Sequence, residues 1–322
     1  MKKTSPALSI VIPLHNEEGN LSHLHQRLIP TVASVTQAYE IIYVNDGSKD
    51  ATLSMVKALA VQDDRVHYIS FSRNFGHQMA IMSGIEHATG DAVVIMDGDL
   101  QDPPELIPEL WQKYREGFKV VYAQRRSREG ETLAKKWTAK IFYRLLKKTT
   151  NIKIPLDTGD FRLIDRKVVE YLKQMPERHK FLRGQIAWIG FKQTAVFYDR
   201  EIRLAGKTNF SFSKMFQFAL DGITAFSNYP LRMATVMGFA VSAVSFLVIL
   251  YALYSKFVLN RTITGWTSLI ISVLFIGGVQ LIAIGIIGEY ISRINSDVRK
   301  RPLYVIEEEN ITKKKSTSEE VD

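Results

Sequence analysis

The segment from Met96 to Glu105 carries the strongest chemical signal in the sequence. In it, Asp97 and Asp99 are separated by one glycine and follow an apolar run. A carboxylate pair at this spacing can bind a hard divalent cation, because Mg²⁺ takes one or two protein carboxylates and completes its shell with water and phosphate oxygens. Such a cation would neutralise charge on a departing diphosphate. An isolated pair is most often a solvated turn, so the interpretation depends on the surrounding sequence.

Short apolar runs alternate with helical patterns around this pair. They predict strands at 8–12, 40–44, 66–71, 92–96 and 120–123, and helices at 21–35, 52–60 and 77–87. We expect the first strand to end at Pro13. The alternation favours a parallel sheet with helices on both faces. Polar residues follow the strands at Asn16, Asp46 and Asp97. Open α/β sheets bind ligands at the carboxyl ends of their strands, so this edge is the expected binding site.

Composition limits the kinds of site that can exist. The 322 residues include no cysteine, which excludes disulfides, a thiolate nucleophile and cysteine-ligated zinc. The net charge of +9 is uneven: residues 1–112 carry −7, and residues 113–215 carry +15. A basic middle segment is compatible with nucleic acid, an anionic membrane or a phosphorylated substrate. The polar start, 1–6, lacks the apolar core of a cleaved signal peptide, so we expect the N-terminal part to stay in the cytoplasm.

Two uncharged stretches predict transmembrane helices. Residues 233–255 and 262–288 contain 23 and 27 residues without a charge, and about 20 apolar residues cross a bilayer. A pair of buried helices in a soluble core is the alternative. The linker between the stretches carries only Lys256 and Arg261, whereas basic residues are denser on the other sides. The positive-inside tendency therefore predicts that both termini are cytoplasmic and the linker is external.

Two further segments have interfacial character. In 131–150, apolar residues recur every four positions and lysines and arginines fill much of the remainder. This pattern is typical of a basic amphipathic helix in a headgroup layer, or of a surface helix packed on its own domain. The aromatic stretch 210–226 leads into the first uncharged run, and we expect it to lie along the interface.

Several motifs together resemble one enzyme family. They lie at 9–18, 44–50, 73–78, 97–105 and 157–162. With the two apolar stretches, they resemble polyprenyl-phosphate glycosyltransferases, a group that includes dolichol-phosphate mannosyltransferase, the aminoarabinose-lipid transferase of Gram-negative bacteria and bactoprenol glucosyltransferases. The resemblance covers roughly residues 8–305. It implies an α/β GT-A (Rossmann-like) catalytic domain with interfacial helices and two C-terminal transmembrane helices in a bacterial inner membrane.

The resemblance also implies a reaction and its partners. A hexose, glucose in the bactoprenol members, would pass with inversion from a nucleotide sugar such as UDP-glucose to a polyprenyl phosphate such as undecaprenyl phosphate. The partners would be this donor, this lipid acceptor and the membrane, without nucleic acid, and family members form homo-oligomers. Other classes remain open at this point: a catalytically inactive nucleotide-binding membrane scaffold, and a processive polysaccharide synthase. The synthase's Gln-x-x-Arg-Trp motif has its nearest counterpart at 185–188, which lacks the arginine.

The donor site is carried over residue by residue. The resemblance implies that the nucleoside pocket is lined by Pro13, Asn16, Glu17 and Asp46. Asp97 and Asp99 would hold Mg²⁺ or Mn²⁺ and the diphosphate, with Gln101 beside the sugar. Judged from the residues alone, Pro13 could also end a strand, and Asn16 could be a turn former.

On the acceptor side, the resemblance suggests Asp157 and Asp160 as catalytic residues. A phosphate monoester has a second pKa of about 6 and is largely dianionic at neutral pH, so it hardly requires a general base. We therefore expect Asp157 to position the acceptor or to stabilise positive charge at the anomeric carbon, with Asp160 in support. A turn and helix cap around Gly159 is the alternative.

The lipid phosphate needs cationic partners. Arg203 and Lys207 are the candidates in the segment before the interfacial stretch, and Arg126 with its neighbour Arg125 is a weaker one. Exposed basic residues facing lipid headgroups are the alternative. The histidines invite a metal site, but we interpret them as surface helix residues. They are His15, His23, His25 and His77.

The expected organisation has six parts. They are a nucleotide-sugar-binding half at 1–130, an acceptor-side half at 131–210, an interfacial helix at 211–230, transmembrane helices at 231–257 and 265–291, and a cytoplasmic tail at 292–322.

Overall fold

The computed structural model describes residues 6–126, 155, 158–178, 180–199, 229–258 and 265–311. The chain divides into two compact units. The first contains an α/β domain together with the segment that begins at Arg301, and the second contains two long helices. The predicted segments 131–150 and 210–226 and the end of the chain, 312–322, lie outside the described residues.

An eight-stranded mixed sheet forms the centre of the first unit. Its strands are β1 (Leu8–Leu14), β2 (Tyr39–Asn45), β3 (Val66–Phe71), β4 (Ala92–Ile95), β5 (Val120–Arg125), β6 (Thr158–Asp165), β7 (Gln193–Tyr198) and β8 (Ile306–Glu309). Its helices are α1 (Glu18–Val35), α2 (Thr52–Gln62), α3 (His77–His87), α4 (Ile107–Arg115), α5 (Arg166–Gln174) and α6 (Leu182–Ile189), with a short 3₁₀ turn at Pro104–Leu106. The five predicted strands and three predicted helices are thus confirmed.

The strand order is β7-β5-β6-β4-β1-β2-β3-β8. The central strands β4, β1, β2 and β3 are parallel, as the alternating pattern predicts. Strand β6, however, is antiparallel to both of its neighbours, β4 and β5, and β8 is antiparallel to β3. Because β6 runs in the opposite direction, its first residues lie at the edge where β4 ends. This inversion carries Asp160 to the carboxyl end of β4.

The core lies on both faces of the sheet. Every residue of β1 and β2 is buried, as expected of central parallel strands covered on both sides. Successive side chains of β1 alternate between two apolar clusters, because neighbouring residues of a strand point to opposite faces. Ile10 packs in the cluster that receives Leu24 and Leu28 of α1, and Val11 packs in the cluster that receives Ile81 of α3.

Pro13 does not end β1, and this part of the strand prediction is wrong. The strand continues to Leu14 and still pairs with β2 there. The last β1 residue paired with β4 is Val11, which faces Ile95. A proline lacks a backbone donor, and beyond Val11 no residue of β4 remains to accept from it.

The second unit contains two helices that are long and apolar enough to cross a membrane. They are α7 (Tyr229–Phe257) and α8 (Trp266–Val298), and they pack on each other. The candidate spans, Leu231–Ser255 and Ile271–Val298, each have a mean hydropathy of 2.3, and most of their described side chains are exposed. At about 1.5 Å per residue, each is longer than the roughly 30 Å of a hydrocarbon core.

The close packing of α3 on β1 is testable at Gly84. A Cβ at this position would lie 2.2 Å from Cγ1 of Val11. We expect Gly84→Ala to lower the free energy of unfolding by about 1–3 kcal/mol through overpacking. Denaturant unfolding of the detergent-solubilised protein measures this. Adding Val11→Ala makes room for the new methyl group. The double variant should therefore lose less free energy of unfolding than the sum of the losses in the two single variants, and strictly additive losses would contradict the contact.

Candidate functional site

Two predicted site residues, Asp97 after β4 and Asp160 near the beginning of β6, lie close to the side chain of His77. The Nε2 atom of His77, at the start of α3, lies 3.4 Å from Asp97 Oδ1 and 3.3 Å from Asp160 Oδ2. Burial opposes a charge on this imidazole, but the carboxylates of Asp97 and Asp160 outweigh it and raise the pKa of His77 to about 9. His77 is therefore a cation between two carboxylates. Its interpretation as a surface helix residue is right in position, since it begins α3 and its side chain is 46% exposed, but that interpretation misses its contact with the two carboxylates.

Asp160 is fixed by two further donors, one in α6 and one in α3. Nε of Arg183, in α6, donates to Oδ1 at 2.8 Å, and Nε2 of Gln78, in α3, donates to Oδ2 at 3.0 Å. Burial would raise the pKa of Asp160, but Arg183 and His77 hold it well below its usual range. A carboxylate bound in this way is ionised and a weak proton acceptor. Its geometry suits an electrostatic and positioning role.

Asp97 and Asp99 have the environment expected of cation ligands. Asp97 Oδ1 is buried and accepts no hydrogen bond within the part of the chain that the structure describes. Burial raises the pKa of Asp97, and the charges of Asp160 and Asp99 add to this. A divalent cation would relieve this repulsion, so the residues fit a metal. Among the described residues there is no cluster of three ligating side chains. The remaining ligands would be phosphate oxygens and water.

The loop that carries this pair packs tightly on the end of β1. A Cβ at Gly98 would lie 2.5 Å from Cδ2 of Leu14 and 3.3 Å from the carbonyl oxygen of Pro13. A side chain at this position would therefore have to displace the end of the Leu14 side chain. On the other side, the backbone amide of Gln101 donates to Asp99 Oδ1 at 3.1 Å. The predicted residues Asp99 and Gln101 therefore lie in one loop, and the predicted residue Pro13 lies against it.

The predicted nucleoside-pocket residues connect the loops that follow β1, β2 and β3. Asn16 has a φ of 57°, and its Oδ1 accepts from the amide of Lys49 at 2.8 Å. Asp46 is buried and accepts from the amides of Phe75 at 2.6 Å and Gly76 at 2.9 Å. Asp46 thus holds the loop that leads into α3 and His77.

Glu17 lies at the beginning of α1. Its Oε2 accepts from Nδ2 of Asn20 at 2.6 Å, and its amide donates to Oγ1 of Thr52 at 2.9 Å. These contacts tie the start of α1 to that of α2, beside the loops that hold Asn16 and Asp46.

A second buried network was not predicted from the sequence. The hydroxyl of Tyr198, at the end of β7, donates to Oδ1 of Asp102 and accepts from Nε of Arg125 at 3.3 Å. Burial raises the pKa of Asp102 to about 7, and the nearby charge of Asp97 adds to this. The network connects the loop of the aspartate pair to the ends of β5 and β7.

The predicted acceptor-side residues are only partly described. Nη1 of Arg126 lies 3.7 Å from Asp199 Oδ2, and both side chains are exposed. Asp157, Arg203 and Lys207 lie outside the described residues. Signals for the missed residues were uneven. His77 and Gln78 lie in the motif at 73–78, whereas nothing in the sequence around Arg183 indicates its contact with Asp160.

Comparisons with known proteins define the class. Residues 9–172 match the family model described as glycosyl transferase family 2, and residues 229–294 match the GtrB C-terminal hairpin. The first match covers nearly all of β1 to β6 and the loops with Asp46, Asp97 and Asp160, but not Arg183 or Tyr198. The second covers α7 and most of α8. The chain belongs to glycosyl transferase family 2, and its mixed α/β sheet is GT-A-like.

Individual relatives extend over nearly the whole chain. The chain is 49% identical to the uncharacterized glycosyltransferase YkcC of Bacillus subtilis (strain 168), over 93% of each protein. It is 43% identical to the prophage bactoprenol glucosyl transferase homolog of Escherichia coli (strain K12), over 93% of this chain and 98% of the relative. It is equally similar to the bactoprenol glucosyl transferase of Shigella phage SfII, at 43% identity over 93% and 97%. A crystal structure of glucosyl-3-phosphoglycerate synthase from Mycobacterium tuberculosis, with Mn²⁺, UDP and phosphoglyceric acid, gives a TM-score of 0.45 at 18% identity, over 68% of this chain and 76% of that one.

The raised pKa of Asp102 predicts a pH-dependent stability. The ordinary pKa of an aspartate is about 3.9, and that of Asp102 is about 7. The folded state therefore favours the protonated acid, and its stability falls as the pH rises from about 4 through about 7, by up to about 1.4 kcal/mol per unit. Asp102→Asn has no such loss. Its stability relative to the wild type should increase over this range in thermal unfolding of the detergent-solubilised protein; parallel pH profiles would contradict the assignment.

Proposed function

We propose that this protein transfers glucose from UDP-glucose to undecaprenyl phosphate, with inversion, giving a polyprenyl-phosphate sugar at the cytoplasmic face of the membrane. The observation that carries the proposal is the 43% identity, over nearly their whole length, to relatives named bactoprenol glucosyl transferases. The apolar hairpin after the catalytic domain adds support, because a water-soluble donor must meet a membrane-embedded carrier.

The donor would bind at the carboxyl ends of β1, β2 and β4. Asn16, Glu17 and Asp46 belong to loops that meet there, next to the aspartate pair. Asp97 and Asp99 would hold Mg²⁺ or Mn²⁺, which when bound would neutralise charge on the nucleoside diphosphate as it leaves. Gln101 would lie beside the sugar.

The chemistry requires little proton transfer. The acceptor phosphate is largely dianionic at neutral pH. One of its oxygens forms the new bond to the anomeric carbon while the bond from that carbon to the diphosphate breaks, so an in-line displacement inverts the configuration. Asp160, whose pKa lies well below its usual range, would remain ionised throughout. Together with Asp157, it would stabilise positive charge that develops at the anomeric carbon.

The acceptor side and the membrane arrangement complete the proposal. Arg203, Lys207 and Arg126 would bind the lipid phosphate, and the segments 131–150 and 211–230 would lie at the interface. Residues 231–257 and 265–291 would span the membrane, with both termini cytoplasmic, because basic residues are denser outside the linker between the spans than within it.

A radiolabel transfer assay tests the reaction. Purified protein in detergent receives undecaprenyl phosphate, Mg²⁺ and labelled UDP-glucose, UDP-galactose or GDP-mannose in separate tubes. We expect label from UDP-glucose to enter the organic phase, and we expect EDTA or Asp99→Asn to reduce the rate at least ~100-fold through loss of charge stabilisation. Asp64→Asn, which changes an exposed aspartate in the turn between α2 and β3, outside the motifs, is the matched control. Nucleotide binding without transfer from any donor would favour the scaffold.

The lipid-phosphate assignment predicts a selective change in KM. We expect Arg203→Ala and Lys207→Ala to raise the KM for undecaprenyl phosphate about tenfold, through loss of a charge-assisted contact, and to leave the KM for the nucleotide sugar nearly unchanged. Steady-state kinetics with each substrate varied in turn measure both constants. Lys113→Ala, in α4, removes an exposed cation that is paired with Glu116 and serves as the control. A larger rise in the donor KM would refute the assignment.

A further inference from the structure

After the second long helix, the chain returns to the catalytic sheet. Strand β8 pairs antiparallel with β3 and covers an edge that would otherwise be open. Asn310 fixes the far end of this pairing, since its Oδ1 accepts from the amide of Tyr68 at 2.6 Å. Glu308 adds an ion pair with Lys57 at 2.6 Å. We call residues 301–311 the C-terminal brace.

Tyr304 is the residue of the brace that attaches to the elements around the donor loops. Its ring stacks on Phe71, the last residue of β3, with 4.8 Å between centroids and 18° between planes. Its hydroxyl donates to Glu86 of α3. Next to it, the carbonyl of Val305 accepts from the amide of Ser72 at 3.1 Å. The brace therefore contacts the beginning of the connection between β3 and α3, and the C-terminal part of α3.

This connection, residues 72–76, forms a wall of the region around Asp46. Phe75 lies edge-on to Phe71 at 5.7 Å, and its amide is one of the two that bind the Asp46 carboxylate. The backbone of this connection also packs directly on Gly47, the residue after Asp46. This glycine has a φ of +61°, and a Cβ on it would lie 2.4 Å from the carbonyl carbon of Arg73.

We propose that Tyr304 is a positioning residue for the nucleotide donor, which acts through Phe71 and the loop 72–76 to hold Asp46 and the start of α3 in the binding geometry. The inference rests on the proposed function, because it takes the surroundings of Asp46 as the nucleoside pocket. The path is a chain of direct contacts: Tyr304 on Phe71, Phe71 on Phe75, and the Phe75 amide on Asp46. Without the stacked ring, one face of Phe71 loses its cover, and the loop gains conformations that do not bind the nucleotide.

The test compares two variants of Tyr304 with a control at the other end of the brace. Tyr304→Ala removes the stacked ring, and Tyr304→Phe keeps the ring but removes the hydroxyl. Asn310→Ala weakens the attachment of β8 near the beginning of β3, away from Phe71. Three properties are measured in the detergent-solubilised full chain: the Kd for UDP, the KM for each substrate and the unfolding temperature.

We expect Tyr304→Ala to raise the Kd for UDP and the KM for the nucleotide sugar about threefold to tenfold, with little change in the KM for the lipid. Tyr304→Phe should restore most of the donor affinity, because it keeps the ring. Asn310→Ala should lower the unfolding temperature without changing the Kd for UDP.

Two other results would overturn the inference. If Tyr304→Ala lowers the unfolding temperature but leaves both donor constants unchanged, the brace is only structural. If both KM values rise equally, Tyr304 does not act through the donor pocket. UDP binding by the wild-type protein is measured before the variants. If the wild type binds no UDP, the proposed function on which the inference rests is refuted.

Discussion

Several acidic side chains must be kept together at one edge of the sheet, and much of the site follows from how their repulsion is balanced. Asp102, Asp160 and the Oδ1 atom of Asp97 are all buried at or near the end of β4, where low dielectric makes like charges costly. The three carboxyl groups are stabilised in different ways. Asp160 receives donors from Arg183, Gln78 and His77 and is ionised, whereas Asp102 has a pKa near 7 and one tyrosine donor.

Asp97 has the least compensation of the three, since its buried Oδ1 accepts no hydrogen bond among the described residues, although His77 at 3.4 Å and Arg183 both favour its charged form. The uncompensated charge is useful, because a fully satisfied carboxylate would have little to offer a cation. The carboxylates of this cluster thus differ in how many hydrogen bonds they accept. Asp97, which accepts the fewest, can bind a ligand, whereas the others stabilise the surrounding structure. Arg162 also stabilises this structure: it is buried, and its guanidinium donates to the carbonyl of Gly159 at 2.7 Å.

The central part of the fold could be predicted from the sequence because its signals are local. The buried apolar runs of β1 to β5 and the spacing of α1 to α3 are complete within a few residues of chain. The position of Asp97 after β4 follows for the same reason. The antiparallel direction of β6 depends on a long connection, so the meeting of Asp97 and Asp160 at His77 has no local signature.

Other elements were missed because they depend on partners distant in sequence. Strand β8 has the sequence Ile-Glu-Glu-Glu, which lacks the apolar alternation of a strand and is stabilised by pairing with β3 and by Lys57 and Asn310. Arg183 is one of many basic residues in the middle of the chain, and only its distance to Asp160 distinguishes it. The end of β1 was wrongly predicted at Pro13, because the sequence of β1 alone does not show that β4 ends before it could pair with Pro13.

The position of β8 in the chain also constrains the order in which the protein matures. Synthesis proceeds from the N-terminus, so β3 is complete long before the brace leaves the ribosome, and both apolar helices are made in between. During that interval the edge of β3 is unpaired and open to wrong partners. The edge of β3 is paired, and Phe71 is covered by Tyr304, only once residues 301–311 have been made. Completion of the catalytic domain is therefore delayed until after synthesis of the two apolar helices of the second unit.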